Sequence, residues 1–165
     1  MIQHVQSLVF LKPGQMMVSP VPTLVTTLLG SCIAVTLFCP RTRFGAICHA
    51  QLPSIGNPAG CSHDDLSHAR YVECAVMMML ERLQAHGVAN KELQAKVFGG
   101  ADMFEGNVKR PGVGKQNAEM ALKVLDREAV RVLCRDLGGE RGRKIVFHTD
   151  TGEVLLKRLG KSGVS

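Results

Sequence analysis

Apolar residues recur along this chain with two different periods. Three short runs, 24–29, 33–38 and 44–51, are rich in Val, Ile, Leu, Thr and Phe and are broken by Gly30-Ser31 and by Pro40-Arg41-Thr42-Arg43. Runs of that length between turn formers predict strands. From residue 72 the spacing changes. Val72, Ala75, Val76, Met79, Leu80 and Leu83 follow at three- and four-residue steps as far as Gly87, which predicts a helix, with Asp64, Asp65 and Ser67 as candidates for its N-cap. Ala118, Ala121, Leu122 and Leu125 predict a second helix from about 115 to 124 or a little beyond. Segments 94–98, 130–133, 144–148 and 154–159 read as further strands, the last two joined by a Thr151-Gly152 turn, and 53–63 reads as a long loop.

The order is β-rich, helix, strand, helix, strands. It predicts an α/β fold: a single domain over 1–165 with a core of about 11–159, sandwich-like sheets inside and helices flanking them. Strand order does not follow from the pattern. The uninterrupted apolar stretches, such as 8–11 and 33–38, fall far short of the roughly 20 residues a membrane helix needs. No Lys or Arg precedes Lys12 and no long apolar run ends in a cleavage site, so the expectation is a cytoplasmic protein without membrane insertion.

Charge adds a direction to this picture. The net charge is +6, and residues 91–165 carry fifteen Lys and Arg against ten Asp and Glu, while residues 1–90 carry five against four. A basic half suits acidic protein surfaces, nucleic acid or anionic membranes. With 4% aromatic residues, no Trp, and no helix-turn-helix, zinc-finger or RNP-like pattern, nucleic acid is not the expected partner.

Six cysteines occur in a chain large enough to build an apolar core without staples, so most are expected to be reduced, Cys39, Cys48, Cys74 and Cys134 as small core fillers. Cys61, His63 and His68, with Cys48 or His49, lack the paired spacing of structural zinc sites. Gly112-Val113-Gly114-Lys115 fails the phosphate-loop pattern, because Gln116 stands where Ser or Thr is required. No metal or cofactor is expected.

One cysteine stands apart. Cys32 follows the Gly30-Ser31 break between two strand-like runs, where backbone can approach a substrate and present N–H groups. A thiol needs a base, and His49, at the end of the next strand candidate, is one hairpin away. On residue type and spacing alone, a buried structural cysteine is the competing reading.

The ordered motifs decide between them. Thr26-x-x-x-Gly30-Ser31-Cys32, then His49-x-x-Leu52-Pro53, then Val97-Phe98-Gly99-Gly100-Ala101-x-Met103-Phe104, Val113-Gly114-x-x-Asn117, Gly138-Gly139-x-x-Gly142-Arg143 and Thr151-Gly152 together resemble the CheD family of chemoreceptor glutamine deamidases. The resemblance implies a Cys-His-Thr triad, with Cys32 as nucleophile, His49 as base and acid, and Thr26 orienting His49, Thr27 being adjacent. It also implies a sandwich similar to the deamidating toxins of the cytotoxic necrotizing factor type, and conversion of receptor glutamines to glutamate through a thioester. Methylesterase activity would be a minor companion. The implied partners are methyl-accepting chemotaxis receptors and a CheC-type phosphatase.

Overall fold

The computed structural model describes residues 7–57, 60–62, 64–102 and 112–160. Nine strands and two α-helices occur among them: β1 (Ser7–Phe10), β2 (Met16–Ser19), β3 (Thr23–Leu29), β4 (Ile33–Phe38), β5 (Gly45–Ala50), α1 (Val72–Ala85), β6 (Gln94–Gly99), α2 (Val113–Arg127), β7 (Arg131–Leu137), β8 (Arg143–His148) and β9 (Val154–Arg158). The strands form two mixed sheets, one ordered β1-β3-β8-β9 and one ordered β2-β5-β4-β6-β7. The expected α/β class and the paired sheets are present. Both helices, however, pack on the five-stranded sheet, so the layers run sheet, sheet, helices.

Two apolar clusters explain that layering. Leu11, Val25, Leu29, Ala34, Ile47, Phe98, Ile145 and Phe147 fill the space between the sheets. The larger cluster joins the opposite faces of β4, β5 and β6 to α1 and α2 through residues such as Val35, Leu37, Cys48, Val76, Met79, Leu83, Ala121 and Leu125. A strand covered on both faces reads as a continuous apolar run, and β4 and β5 are buried at every position. The strand β3, covered on one face, alternates instead.

Several local expectations are corrected. β1 and β2, of four residues each, are too short to stand out from the pattern. Asp65 caps a separate 3-10 turn, Leu66–Arg70, by accepting from the Ser67 N–H, and α1 begins only at Val72. α2 starts two residues before the predicted Lys115, and β7 runs on to Leu137 rather than stopping at 133. Cys74 is not a free core filler, because it is disulfide-bonded to Cys61, tying the long loop to the first turn of α1. Cys39 and Cys48 are free and buried as expected, whereas Cys134 is exposed. His63, Met103 and Phe104 lie outside the described residues.

Candidate active site

Residues 30–32 carry the chain from one sheet to the other, joining β3 to β4. Every carbonyl of this crossover is held. Gly30 O accepts from the Ala101 N–H at 3.0 Å and Cys32 O from the Gly100 N–H at 2.9 Å. Ser31 O accepts from Asn117 Nδ2 at 3.0 Å. The crossover fits only because glycines face it. Gly99 has φ 111° and Gly100 φ 65°, in the region that favours glycine, and a Cβ on Gly99 would overlap the Cys32 carbonyl oxygen.

β4 and β5 form the predicted hairpin, in which Ala34 is paired with His49. The His49 N–H donates to Gln15 O and its carbonyl accepts from the Gly14 N–H, both toward β2, so Ala34 and His49 form the closer, non-hydrogen-bonded kind of pair. A small residue opposite the imidazole leaves it room. Cys32, two residues before Ala34, is half-buried and packs against the same inter-sheet cluster to which Ala34 belongs.

The hydrogen bonds on His49 determine its tautomer. Thr27 Oγ1 lies 2.6 Å from Leu11 O and 2.7 Å from His49 Nδ1. A hydroxyl has one proton and the Leu11 carbonyl can only accept, so Thr27 donates to Leu11 and must receive the Nδ1–H of His49. The proton therefore sits on Nδ1, and Nε2 carries a bare lone pair. That atom is buried and has no hydrogen-bond partner among the described residues.

Burial pushes the His49 pKa down to about 4, partly offset by the Leu11 carbonyl, and burial pushes the Cys32 thiol up. At neutral pH the resting pair is thus an uncharged thiol and an uncharged imidazole, not an ion pair. A thiol on a backbone-pinned turn, packed against the inter-sheet cluster, and an imidazole with one free lone pair are groups that acyl transfer can use, although no Cys32–His49 hydrogen bond is formed.

Comparison with known proteins decides the family. A profile described as CheD chemotactic sensory transduction matches residues 52–158. The chain is 47% identical to the probable chemoreceptor glutamine deamidase CheD 2 of Geobacter sulfurreducens, over 93% of this chain and 91% of that one. The chain belongs to the CheD family. It is also 40% identical to the probable chemoreceptor glutamine deamidase CheD of Maridesulfovibrio salexigens (93% and 92% covered). Identity is 35% to the corresponding protein of Methanococcus vannielii (89% and 92%).

In this CheD chain Thr26 is not beside His49. Successive strand residues point to opposite faces, and the Thr26 side chain lies on the outer face of β3 with its hydroxyl donating to Ile145 O at 3.0 Å. The hydroxyl on the imidazole is that of Thr27, which is fully buried. Alternation along 24–29, with Val25 and Leu29 turned inward, carries the signal that distinguishes the two threonines.

Two further residues of the site were visible in the sequence only as members of a motif. Asn117, fully buried in α2, touches the crossover. Arg143, 2% exposed, donates to Asp136 Oδ1 at 2.7 Å, Gly99 O at 3.2 Å and Gly138 O at 2.7 Å. Burial pushes the Asp136 carboxyl up, but hydrogen bonds from Arg143 and Arg158 outweigh it and hold the pKa below its ordinary value. Arg143 lies on β8 of one sheet and Gly99 on β6 of the other, so this cation ties the sheets together behind the Gly99-Gly100 turn.

Proposed function

We propose that this chain is a protein-glutamine deamidase that converts glutamines of methyl-accepting chemotaxis receptors to glutamate in the cytoplasm, with Cys32 as nucleophile and His49 as general base and acid. The observation that carries this reading is the Leu11–Thr27–His49 chain of hydrogen bonds, which leaves the imidazole its Nε2 lone pair, with Cys32 packed against the inter-sheet cluster that includes Ala34, the residue paired with His49. The names of the relatives supply the substrate class. Fold likeness to toxins of the cytotoxic necrotizing factor type and a CheC-type phosphatase as second partner rest on the sequence resemblance alone.

His49 Nε2 takes the Cys32 proton as the sulfur bonds to the side-chain amide carbon. Because the resting pair is uncharged, this transfer accompanies attack rather than preceding it. The oxygen becomes an oxyanion, for which the Cys32 N–H and a neighbouring N–H of the crossover are the donors. The imidazolium protonates the departing nitrogen, and ammonia leaves a thioester. Water, deprotonated by the same Nε2, attacks the thioester; glutamate departs and the thiol regains its proton. Thr27, by accepting from Nδ1, keeps Nε2 in the basic form between steps.

Mass spectrometry of a receptor cytoplasmic fragment tests this reading. Incubation with the chain should convert glutamine to glutamate, and Cys32→Ala and His49→Ala should each lower the rate by at least about 10³-fold. Unmodified glutamines, or conversion that survives Cys32→Ala, would refute it. Methanol release from methylated receptor in the same reactions measures the companion esterase activity.

A further inference from the structure

The side chain of Asn117 meets the crossover and the end of the hairpin together. Its Nδ2 donates to Ser31 O and to Gln51 O, each at 3.0 Å. Ser31 precedes the nucleophile, and Gln51 lies two residues past His49. Both acceptors are carbonyls, so only the NH2 end of the amide can face them. Oδ1 is then left buried with no hydrogen-bond partner among the described residues. An unpaired buried acceptor costs stability that an apolar side chain of similar size would not, which argues that this amide is present for its two donated hydrogen bonds.

Those bonds have a directional consequence. In a trans peptide the C=O and N–H of one unit point opposite ways, and no cis peptide occurs among the described residues. Holding Ser31 O toward Asn117 therefore turns the Cys32 N–H away from α2. The bond from the Ala101 N–H to Gly30 O aims the Ser31 N–H in the same manner. The second Asn117 bond joins this turn to the strand that carries His49.

We propose that Asn117 is a positioning residue of the reaction, whose amide aims the Cys32 N–H at the oxyanion and sets the nucleophile's turn against the His49 strand. This rests on the cysteine chemistry proposed above and names a residue that chemistry did not assign. Asn117 touches neither substrate nor reacting atom. It acts through the peptide it holds, so its loss affects a step that builds an oxyanion and spares one that does not.

Two small reagents separate those steps. With p-nitrophenyl acetate the Cys32 sulfur bonds to the acetyl carbon through a tetrahedral oxyanion, p-nitrophenolate leaves, and the thiol proton goes to His49. With iodoacetamide the sulfur bonds to the methylene carbon, iodide leaves and the thiol proton goes to His49, with no oxyanion formed. Both are followed at Cys32 by peptide mass mapping, since Cys134 is also free and exposed. In Asn117→Ala, acylation should fall about 10- to 100-fold while alkylation stays within about threefold of wild type. Asn117→Asp, which keeps the shape but can supply at most one of the two hydrogen bonds, should show the same split and serves if the alanine variant does not fold.

Equal loss of both rates, loss of neither, or failure of both variants to fold would overturn the proposal in favour of a purely structural asparagine. Wild-type Cys32 acylated no faster than Cys134 would overturn it as well. A wild-type chain that is acylated at Cys32 yet deamidates no receptor glutamine would instead overturn the assignment of substrate and leave the role of Asn117 standing.

Discussion

The two sheets do different work with similar strands. In the five-stranded sheet, β4 and β5 are buried at every position, pressed between the other sheet and the helices. Among the described residues, the four-stranded sheet is covered on its inner face only, and the outer one leaves Leu8 68%, Phe10 52% and Leu155 53% exposed. His49 lies in the first, on a strand with layers on both sides, and the turn that ends in Cys32 leads into it from the second. The second contributes one hydroxyl from its inner face, Thr27, and the cation that pins the far side of the crossover, Arg143. Burial is thus deep around His49, and exposure is left to the face turned away from it.

The largest effect should come from cutting the tie between the sheets. Arg143→Met takes the side-chain donor from Gly138 O, leaves Gly99 O with only the Gly138 N–H, and leaves a partly buried Asp136 with only Arg158. It should cost about 3–5 kcal/mol, measured by urea unfolding. A smaller loss would mean that apolar packing and the Thr27–His49 hydrogen bond suffice to hold the sheets together.

The buried sheet also makes stability depend on pH. His49 has its folded pKa lowered to about 4, against roughly 6.5 in an unfolded chain. Between those values the unfolded state binds more protons, so the contribution is whole above about 6.5 and disappears as pH falls toward 4, a loss on the order of 3 kcal/mol. Urea midpoints should decline over that window, and His49→Gln should flatten the decline.

Next comes the pair of threonines on opposite faces of one strand. Thr27→Val, which removes the acceptor of the Nδ1–H, should lower kcat about 10- to 100-fold. Thr26→Val, which removes only a bond to Ile145 O near the surface, should leave deamidation within about twofold. The reverse order would restore the triad expected from the sequence. Smallest of all, Leu8→Ser and Phe10→Ser on the open face should change stability by less than about 0.5 kcal/mol each.

The hairpin that carries His49 was legible in the sequence, because continuous apolar runs at 33–38 and 44–51 and the Gly-Ser break before Cys32 leave few other arrangements. So were α1 and α2, through their spacing. Contacts between residues far apart in the chain did not show. Thr27 meets His49 across 22 positions and Asn117 meets Ser31 across 86, and neither follows from local pattern. The family motif points to Thr26, whereas alternation within 24–29 turns Thr27 inward toward His49. The Cys61–Cys74 bond was missed because core size, on which the expectation rested, says nothing about which loop cysteine approaches which helix.

The hydrogen bond between Thr27 and His49 spans the gap between the sheets. The tautomer of the base therefore depends on a length that belongs to the whole sandwich. Anything that pries the layers apart, such as an oversized side chain at Ala34, would lengthen that bond and free the imidazole to move its proton to the wrong nitrogen. Thinning the filling between the sheets would let the ring tilt. Catalysis in this protein would then serve as a caliper, reporting the spacing between two sheets before any loss of folding could be detected.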